Sequence, residues 1–158
     1  SLDYGWDRVA EKYSNIIFKV WGEGVVIDII SKGELIGQVY DMNLVEGVTF
    51  PTDENQAFQF GFGVIDKDKY LVPHIHKRVE RSIDTTSEFL YVVNGLMLID
   101  IYDENEHYVK TIRLRDNQAL LQHIGGHKIT IKKGTKYFEI KQGPYYGRDF
   151  DKYSIEVD

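Results

Sequence analysis

Cysteine is absent from the 158-residue sequence. This absence excludes a disulfide framework, thiolate zinc sites, iron–sulfur ligation and a cysteine nucleophile. Long hydrophobic runs are missing as well, since no apolar stretch approaches the roughly 20 residues that a membrane-spanning helix requires. The N-terminus also has no signal-peptide pattern. We therefore expect no membrane partner and a cytoplasmic location.

The sequence also lacks a positively charged cluster. Its formal net charge is −6, and the lysine and arginine residues are scattered along the chain. Proteins that bind nucleic acid or anionic membranes usually concentrate basic residues on one surface. The charge pattern therefore argues against both partners and leaves a small molecule as the expected ligand.

Apolar residues are plentiful, at 42% of the chain, with 11 Tyr and 8 Phe. A chain of this length and composition is typical of one domain, here residues 1–158. It can build a hydrophobic core without disulfides or a structural metal. Any metal ion is therefore expected to serve function rather than folding.

The pattern along the chain predicts one short helix followed by strands. Asp3 can cap a helix in which Trp6, Val9, Ala10 and Tyr13 recur at helical spacing. About ten β-rich runs follow, separated by turn residues, among which Asn94-Gly95 is a strong hairpin signal. The predicted strands are Asn15–Val20, Val25–Ile30, Leu35–Tyr40, Gln56–Ile65, Tyr70–His76, Glu88–Val93, Leu96–Tyr102, Tyr108–Leu114, Ala119–Gln122, His127–Ile131 and Lys136–Lys141.

The stretch PHIHKR, residues 73–78, contains two histidines one residue apart. On a strand, His74 and His76 would project from the same face, together with the apolar Val72. Such a pair can bind a metal ion. It can equally be two solvated imidazoles at a strand end, and the motif by itself does not decide between these interpretations.

A second histidine cluster, HIGGHK, comes later in the chain. His127 shares a predicted strand face with Ile129 and Ile131, so we expect it to point inward. A lone histidine there is more often a core residue than a ligand. His123 lies across the glycine turn and is not expected to share the face of His127, while His107, in an acidic turn, is expected at the surface.

A carboxylate is available in the strand EFLYVV, where Glu88 shares a face with two apolar residues. A charged group on a half-buried strand needs a partner. Glu88 could be solvated at the strand end, pair with a basic side chain, or bind a metal. Three imidazoles and one carboxylate would suit a divalent transition metal.

These motifs resemble those of the cupin family. The first cupin motif combines HxH with a Glu, six residues and a Gly, which His74, His76, Glu88 and Gly95 match; His127 after its glycine turn matches the second. The resemblance implies an all-β fold, the cupin-type double-stranded β-helix or jelly-roll barrel. Its core would span about residues 56–141, preceded by the N-terminal helix and strands in 1–50 and followed by an irregular tail, 142–158. It also implies a homodimer.

The resemblance implies a metal site of His74, His76, Glu88 and His127, holding one iron, manganese, nickel or zinc ion. The sequence departs from the family pattern in having eleven residues between His76 and Glu88 instead of three or four. Glu80 has the usual spacing but no glycine seven residues later, which makes it the alternative carboxylate. The second motif also lacks its usual proline.

The function expected from this resemblance is that of a metal-dependent enzyme, an oxygenase or an isomerase/lyase, acting on a small polar or anionic metabolite. Arg78 and Arg81 follow the HxH pair, and their guanidinium groups suit an anionic substrate. Two alternatives stay open. The protein could bind a sugar or another small ligand without turnover, or it could be a metal-free sugar-nucleotide isomerase or epimerase that uses a histidine base.

Overall fold

The computed structural model describes residues 16–21 and 24–157, with side chains described from residue 26 onward. The helix expected in the first dozen residues lies outside this range. No helix in the described part of the chain is long and apolar enough to cross a membrane.

The described residues are mostly strand. The strands are β1 (Ile16–Trp21), β2 (Gly24–Ser31), β3 (Glu34–Asp41), β4 (Val48–Thr49), β5 (Phe62–Gly63), β6 (Glu88–Asn94), β7 (Leu96–Tyr102), β8 (Tyr108–Arg115), β9 (Gln118–Gln122), β10 (Gly126–Ile131) and β11 (Lys136–Lys141). A 3-10 turn, Met42–Leu44, follows β3, and a short helix α1, Arg148–Asp151, lies in the C-terminal tail.

Two antiparallel sheets carry most of these strands. The larger sheet has the order β1-β2-β3-β9-β6-β11, the smaller has the order β10-β7-β8, and β4 pairs with β5 in a short ribbon. The predicted all-β class is therefore confirmed. The sheets do not close into a barrel over the described residues, so the cupin-type jelly roll is not confirmed.

Two hairpins form where the sequence places turn residues. Lys32 and Gly33 join β2 to β3 with φ values of 50° and 80°. Positive φ at both central residues gives a turn whose twist matches that of the flanking strands. Gly95 joins β6 to β7 with φ 121°, where a Cβ would also lie 2.6 Å from the Thr135 Cα. Glycine is therefore required at Gly95 for both conformation and space.

The core is divided between the two faces of the larger sheet because successive strand residues point to opposite faces. In β6, Leu90 and Val92 join the cluster that also contains Ile99 of β7, whereas Phe89 joins a second cluster. The first cluster contains Ile27, Ile29, Ile36, Val39, Leu90, Val92, Met97, Ile99, Ile101, Ile112, Leu114 and Leu120. The second contains Val26, Tyr40, Val45, Phe62, Phe89, Ala119 and Leu121.

Two predicted strands are corrected by the structure. The run Gln56–Ile65 contains only the two-residue strand β5, although Phe58 and Phe60 still pack on the second cluster. Its alternating pattern therefore reflects apolar contacts of a loop. The run Tyr70–His76 forms no strand and is exposed throughout. Pro73 lacks a backbone donor, and no described strand pairs with this run.

Candidate functional site

A cavity of about 580 Å³ opens where β6, β7 and β10 meet the C-terminal tail. Glu88 and His127 line it together with the turn after β7 and the tail residues that follow α1. The full lining is Thr86, Glu88, Tyr102, Asp103, Glu104, Glu106, Gln122, Gly125, Gly126, His127, Lys128, Asp151, Lys152, Tyr153, Ser154, Ile155 and Val157. Most of these residues are polar, and the cavity has a volume suited to a small molecule.

Glu88 and His127 face each other in this cavity. Glu88 begins β6, and His127 is the second residue of β10, so the two side chains come from different sheets. His127 Nε2 lies 3.3 Å from Glu88 Oε2, and the side chains are 27% and 18% exposed respectively. The contact lacks hydrogen-bond geometry, and Glu88 Oε2 is a buried oxygen without a hydrogen-bond partner. The two side chains are therefore close and mostly buried, and no hydrogen bond joins them.

Gln122, the last residue of β9, fixes the orientation of the His127 ring. Its Nε2 donates to the carbonyl oxygens of Ile124 and Gly126, at 3.1 and 3.0 Å. The side-chain oxygen Oε1 is thereby turned toward His127 Nδ1, which lies 2.7 Å away. An amide oxygen only accepts hydrogen bonds, so Nδ1 must carry the hydrogen. In the neutral imidazole, Nε2 is then an unprotonated acceptor that faces Glu88.

Burial shifts both groups toward their neutral forms. Burial raises the pKa of Glu88, and the nearby Glu139 carboxylate raises it further, while Lys141 acts in the opposite direction. Burial also lowers the pKa of His127, against the influence of Glu139. Removing a charged group from water disfavours its ionised form in each case. Burial therefore favours the neutral form of each group relative to the same group in water.

The close contact disfavours a state in which neither group carries a proton. A neutral His127 Nε2 and an ionised Glu88 Oε2 would both present lone pairs across 3.3 Å. This repulsion is relieved when either the carboxyl group or the imidazole carries a proton. The pair can thus act as an acid and a base on the same bound molecule.

The predicted metal site is wrong. His74 and His76 are exposed and lie outside the cavity lining; their rings are 5.1 Å apart, and His74 Nδ1 is 2.9 Å from the Val72 carbonyl oxygen. Among residues 16–21 and 24–157, no group of three or more His, Cys, Asp or Glu side chains could hold a metal ion. Glu88 and His127 do come together. The HxH pair does not join them, because its segment is not a strand of either sheet.

The other residues predicted for the site lie in the same exposed segment as the HxH pair. Arg78, Glu80 and Arg81 are exposed and do not line the cavity. Arg81 donates to the carbonyl oxygen of Val79, at 3.2 Å. Binding of an anionic substrate by these arginines stays a prediction.

Sequence reasoning missed several cavity residues. Gln122 ends a strand that is buried at every position, and a polar residue in such a strand was an available signal. The turn after β7 contributes Asp103, Glu104 and Glu106, and the tail contributes Asp151. Apart from Glu88, the lining has four acidic side chains, of which Asp151 is paired with Lys141, whereas its lysines are Lys128 and Lys152. This excess of acidic groups favours a neutral or cationic ligand.

The remaining described histidines are separate from the cavity. His123 is 2% exposed, and its Nε2 lies 3.1 Å from Gln38 Oε1 in a buried polar network with Asp28 and Tyr40. Burial lowers the pKa of His123 to about 4. His107 is 62% exposed, as predicted. His123 and His127 therefore occupy different environments, which agrees with the prediction that they do not share a face.

Comparison with known proteins identifies no relative. No protein-family description, no curated protein and no solved structure matches the chain.

Proposed function

We propose that this protein is a metal-free acid–base enzyme that moves a proton on a small, polar, neutral or cationic molecule bound in the cavity. The observation that carries this proposal is the pair formed by Glu88 and His127, which is held between two sheets at a cavity wall. Acids and bases whose pKa values are shifted by burial, in a cleft of suitable size, are characteristic of catalytic sites.

The reaction that fits this pair is an isomerisation, because the acid and the base lie side by side rather than on opposite faces of one substrate atom. With Glu88 protonated and His127 neutral, Nε2 takes a proton from a carbon or hydroxyl of the substrate while the carboxyl group gives its proton to another substrate atom. The substrate gains one proton and loses one. The pair becomes a carboxylate and an imidazolium, and a proton crossing the 3.3 Å between them restores the starting state.

Gln122 supports this reaction as a positioning residue. Its hydrogen bond holds the proton of neutral His127 on Nδ1, so that Nε2 remains the base. The acidic lining favours substrates without a negative charge, which differs from the anionic metabolite expected from the sequence.

A cupin-type fold is part of the proposal. The antiparallel all-β architecture supports it, as do the positions of Glu88 and His127 on strands of different sheets. A cytoplasmic location and a homodimeric state complete the proposal, and both rest on the sequence.

A second candidate is a binding protein without turnover. Tyr102 and Tyr153 line the cavity, and aromatic rings can stack on sugar rings or on cationic groups. In this case Glu88 and His127 would only donate and accept hydrogen bonds to the ligand.

A two-step experiment tests the proposal. Neutral sugars, amino sugars and small amines are first screened for thermal stabilisation, with sugar phosphates as anionic counterparts. Each ligand found is then incubated in D₂O with the protein, and deuterium entering its carbon positions is followed by NMR. We expect Glu88→Gln and His127→Gln to slow this exchange about 10²–10⁴-fold while the ligand still binds.

Glu80→Gln is the matched control because Glu80 is exposed and lies outside the cavity lining. With this variant, deuterium should enter the ligand at the wild-type rate. Ligand binding without any exchange would favour the binding protein over the enzyme. Exchange at the wild-type rate in both site variants would contradict the role given to the pair.

A further inference from the structure

A long exposed segment connects β5 to β6. Residues 64–84, which we call the arm, form no strand or helix, and all of them are exposed. The arm is nevertheless rich in apolar residues: Val64, Ile65, Tyr70, Leu71, Val72, Ile75, Val79 and Ile83, of which Ile75 is 91% exposed. So much apolar surface on one segment marks a site of interaction.

The described contacts of the arm's side chains are local. His74 contacts the Val72 carbonyl, Arg81 contacts the Val79 carbonyl, and the rings of His74 and His76 contact each other. These contacts join residues two apart and do not attach the arm to either sheet.

Two of the strand edges that lack a neighbour within the described residues belong to β10 and β11. β10 pairs only with β7, and β11 pairs only with β6. The two strands are consecutive and are joined by a short turn, residues 132–135, although they belong to different sheets. We call their two free edges the seam. Unpaired edges expose backbone donors and acceptors that can pair with another chain.

The seam also exposes apolar side chains. Ile131 of β10 is 44% exposed, although its strand neighbour Met97 is fully buried. On β11, Tyr137, Phe138 and Ile140 are 39%, 47% and 52% exposed. The seam thus offers the backbone edges and the apolar contacts that an added strand requires.

Charge indicates in which direction a strand added to the seam would run. The turn of the seam is basic, with Lys132, Lys133 and Lys136, whereas the cavity end has the exposed Glu139. The start of the arm has no net charge, because Asp66 and Asp68 alternate with two lysines, whereas its later part contains Lys77, Arg78 and Arg81. Opposite charges meet when this basic part lies near Glu139, which places the start of the arm at the turn.

We propose that the arm of a second copy of this chain occupies the seam as an added strand, antiparallel to β10. Two copies related by two-fold symmetry would each give an arm and each receive one, so that both seams are filled. The basic part of each arm would then lie beside the cavity of the other copy. The assembly does not depend on the proton transfer proposed for Glu88 and His127.

Cross-linking tests the assembly directly because the chain has no native cysteine. Val72→Cys in the arm and Thr130→Cys on β10 are introduced into separate, differently tagged full-length chains, since both positions are exposed. The chains are co-expressed and treated with a flexible bismaleimide. We expect a cross-linked heterodimer, identified by its mass and by peptides that join the two positions.

The matched control pairs Val72→Cys with Arg113→Cys, an exposed position on β8 at the opposite edge of the smaller sheet. This pair should give at least tenfold less heterodimer. A monomeric chain carrying both Val72→Cys and Thr130→Cys that cross-links within itself would overturn the proposal, because the seam would be filled by its own arm.

The oligomeric state gives an independent readout. Ile75→Asp changes a side chain that is 91% exposed, so it should leave folding intact and convert the dimer to a monomer in light scattering. Phe150→Asp, at a position 87% exposed on α1, should remain dimeric. A wild-type protein that is monomeric at all concentrations overturns the proposal. So does a dimer that persists in Ile75→Asp but is lost when residues 1–15 are removed.

Discussion

Gln122 Oε1 accepts a hydrogen bond from His127 Nδ1 across 2.7 Å, and this contact links a buried strand end to the ring at the cavity wall. The Gln122 amide cannot reverse without losing its donated bonds to the carbonyl oxygens of Ile124 and Gly126. The tautomer of His127 is therefore set by the backbone of the β9–β10 turn.

Replacing Gln122 by methionine should release this tautomer. Methionine has a similar length but offers no comparable acceptor to Nδ1, so neutral His127 should become a mixture of its two tautomers. Ring ¹⁵N chemical shifts measure the change. The wild type should show the hydrogen on Nδ1, and Gln118→Met, elsewhere on β9, should leave it there. A wild-type ring with its hydrogen on Nε2 would contradict the assignment.

Glu88→Gln should stabilise the folded protein increasingly as pH rises. Because burial raises the pKa of Glu88 in the folded state, the folded state binds this proton more tightly than the unfolded state does. Stability from the protonated group is fully present below the unfolded pKa and is lost as pH rises through the raised folded value. Glutamine does not ionise in this pH range. The free energy of unfolding of Glu88→Gln should therefore exceed that of the wild type by an amount that grows with pH above about 4.5.

Denaturant titrations at a series of pH values measure this difference. Glu80→Gln is the control, since Glu80 is exposed. Its free energy of unfolding should follow that of the wild type across the whole range. If Glu88→Gln instead becomes less stable than the wild type as pH rises, the ionised carboxylate is stabilised in the folded state.

His123 should weaken the fold in mild acid. Burial lowers its pKa from 6.5 to about 4, so the unfolded state takes up a proton that the folded state does not. Stability is fully present above pH 6.5 and is lost progressively as pH falls toward 4. The full loss is about 3 kcal/mol, because one pKa unit corresponds to about 1.4 kcal/mol.

A His123→Gln variant tests this contribution. It should be less stable than the wild type at pH 7, because the hydrogen bond to Gln38 changes, but its stability should fall less between pH 6.5 and 4. His107→Gln serves as the comparison, since His107 is 62% exposed. If the wild type and His123→Gln lose the same free energy over this range, His123 is not the group responsible.

The sequence predicted the strands that carry local signals. Asn94-Gly95 and the alternation around it gave the β6–β7 hairpin, and the apolar residues near His127 indicated a partly buried side chain, which is 27% exposed. These features depend on residues close together in the chain, which is why the sequence contains them. The contact between Glu88 and His127 was expected only through a shared metal ion, and that metal site is wrong.

The arm shows why the HxH pair misled the prediction. An alternating pattern places His74 and His76 on one face only if the segment pairs with other strands, and pairing depends on distant residues. In this chain the segment is exposed and unpaired among the described residues. Gln122 and the tail also join the cavity through long-range packing, for which a single sequence gives little signal.

Gly125 precedes His127 in the turn between β9 and β10, and its replacement should be more damaging than that of Gly134. Both glycines have φ +82°, so alanine is conformationally strained at either position by about 1–2 kcal/mol. A Cβ at Gly125 would also collide with the carbonyl oxygen of Tyr102, whereas one at Gly134 meets nothing within 4 Å. We expect Gly125→Ala to lose a further ~1–3 kcal/mol, the usual cost of overpacking. Urea unfolding of the two variants measures the difference, and equal losses would show that the turn can move away from Tyr102.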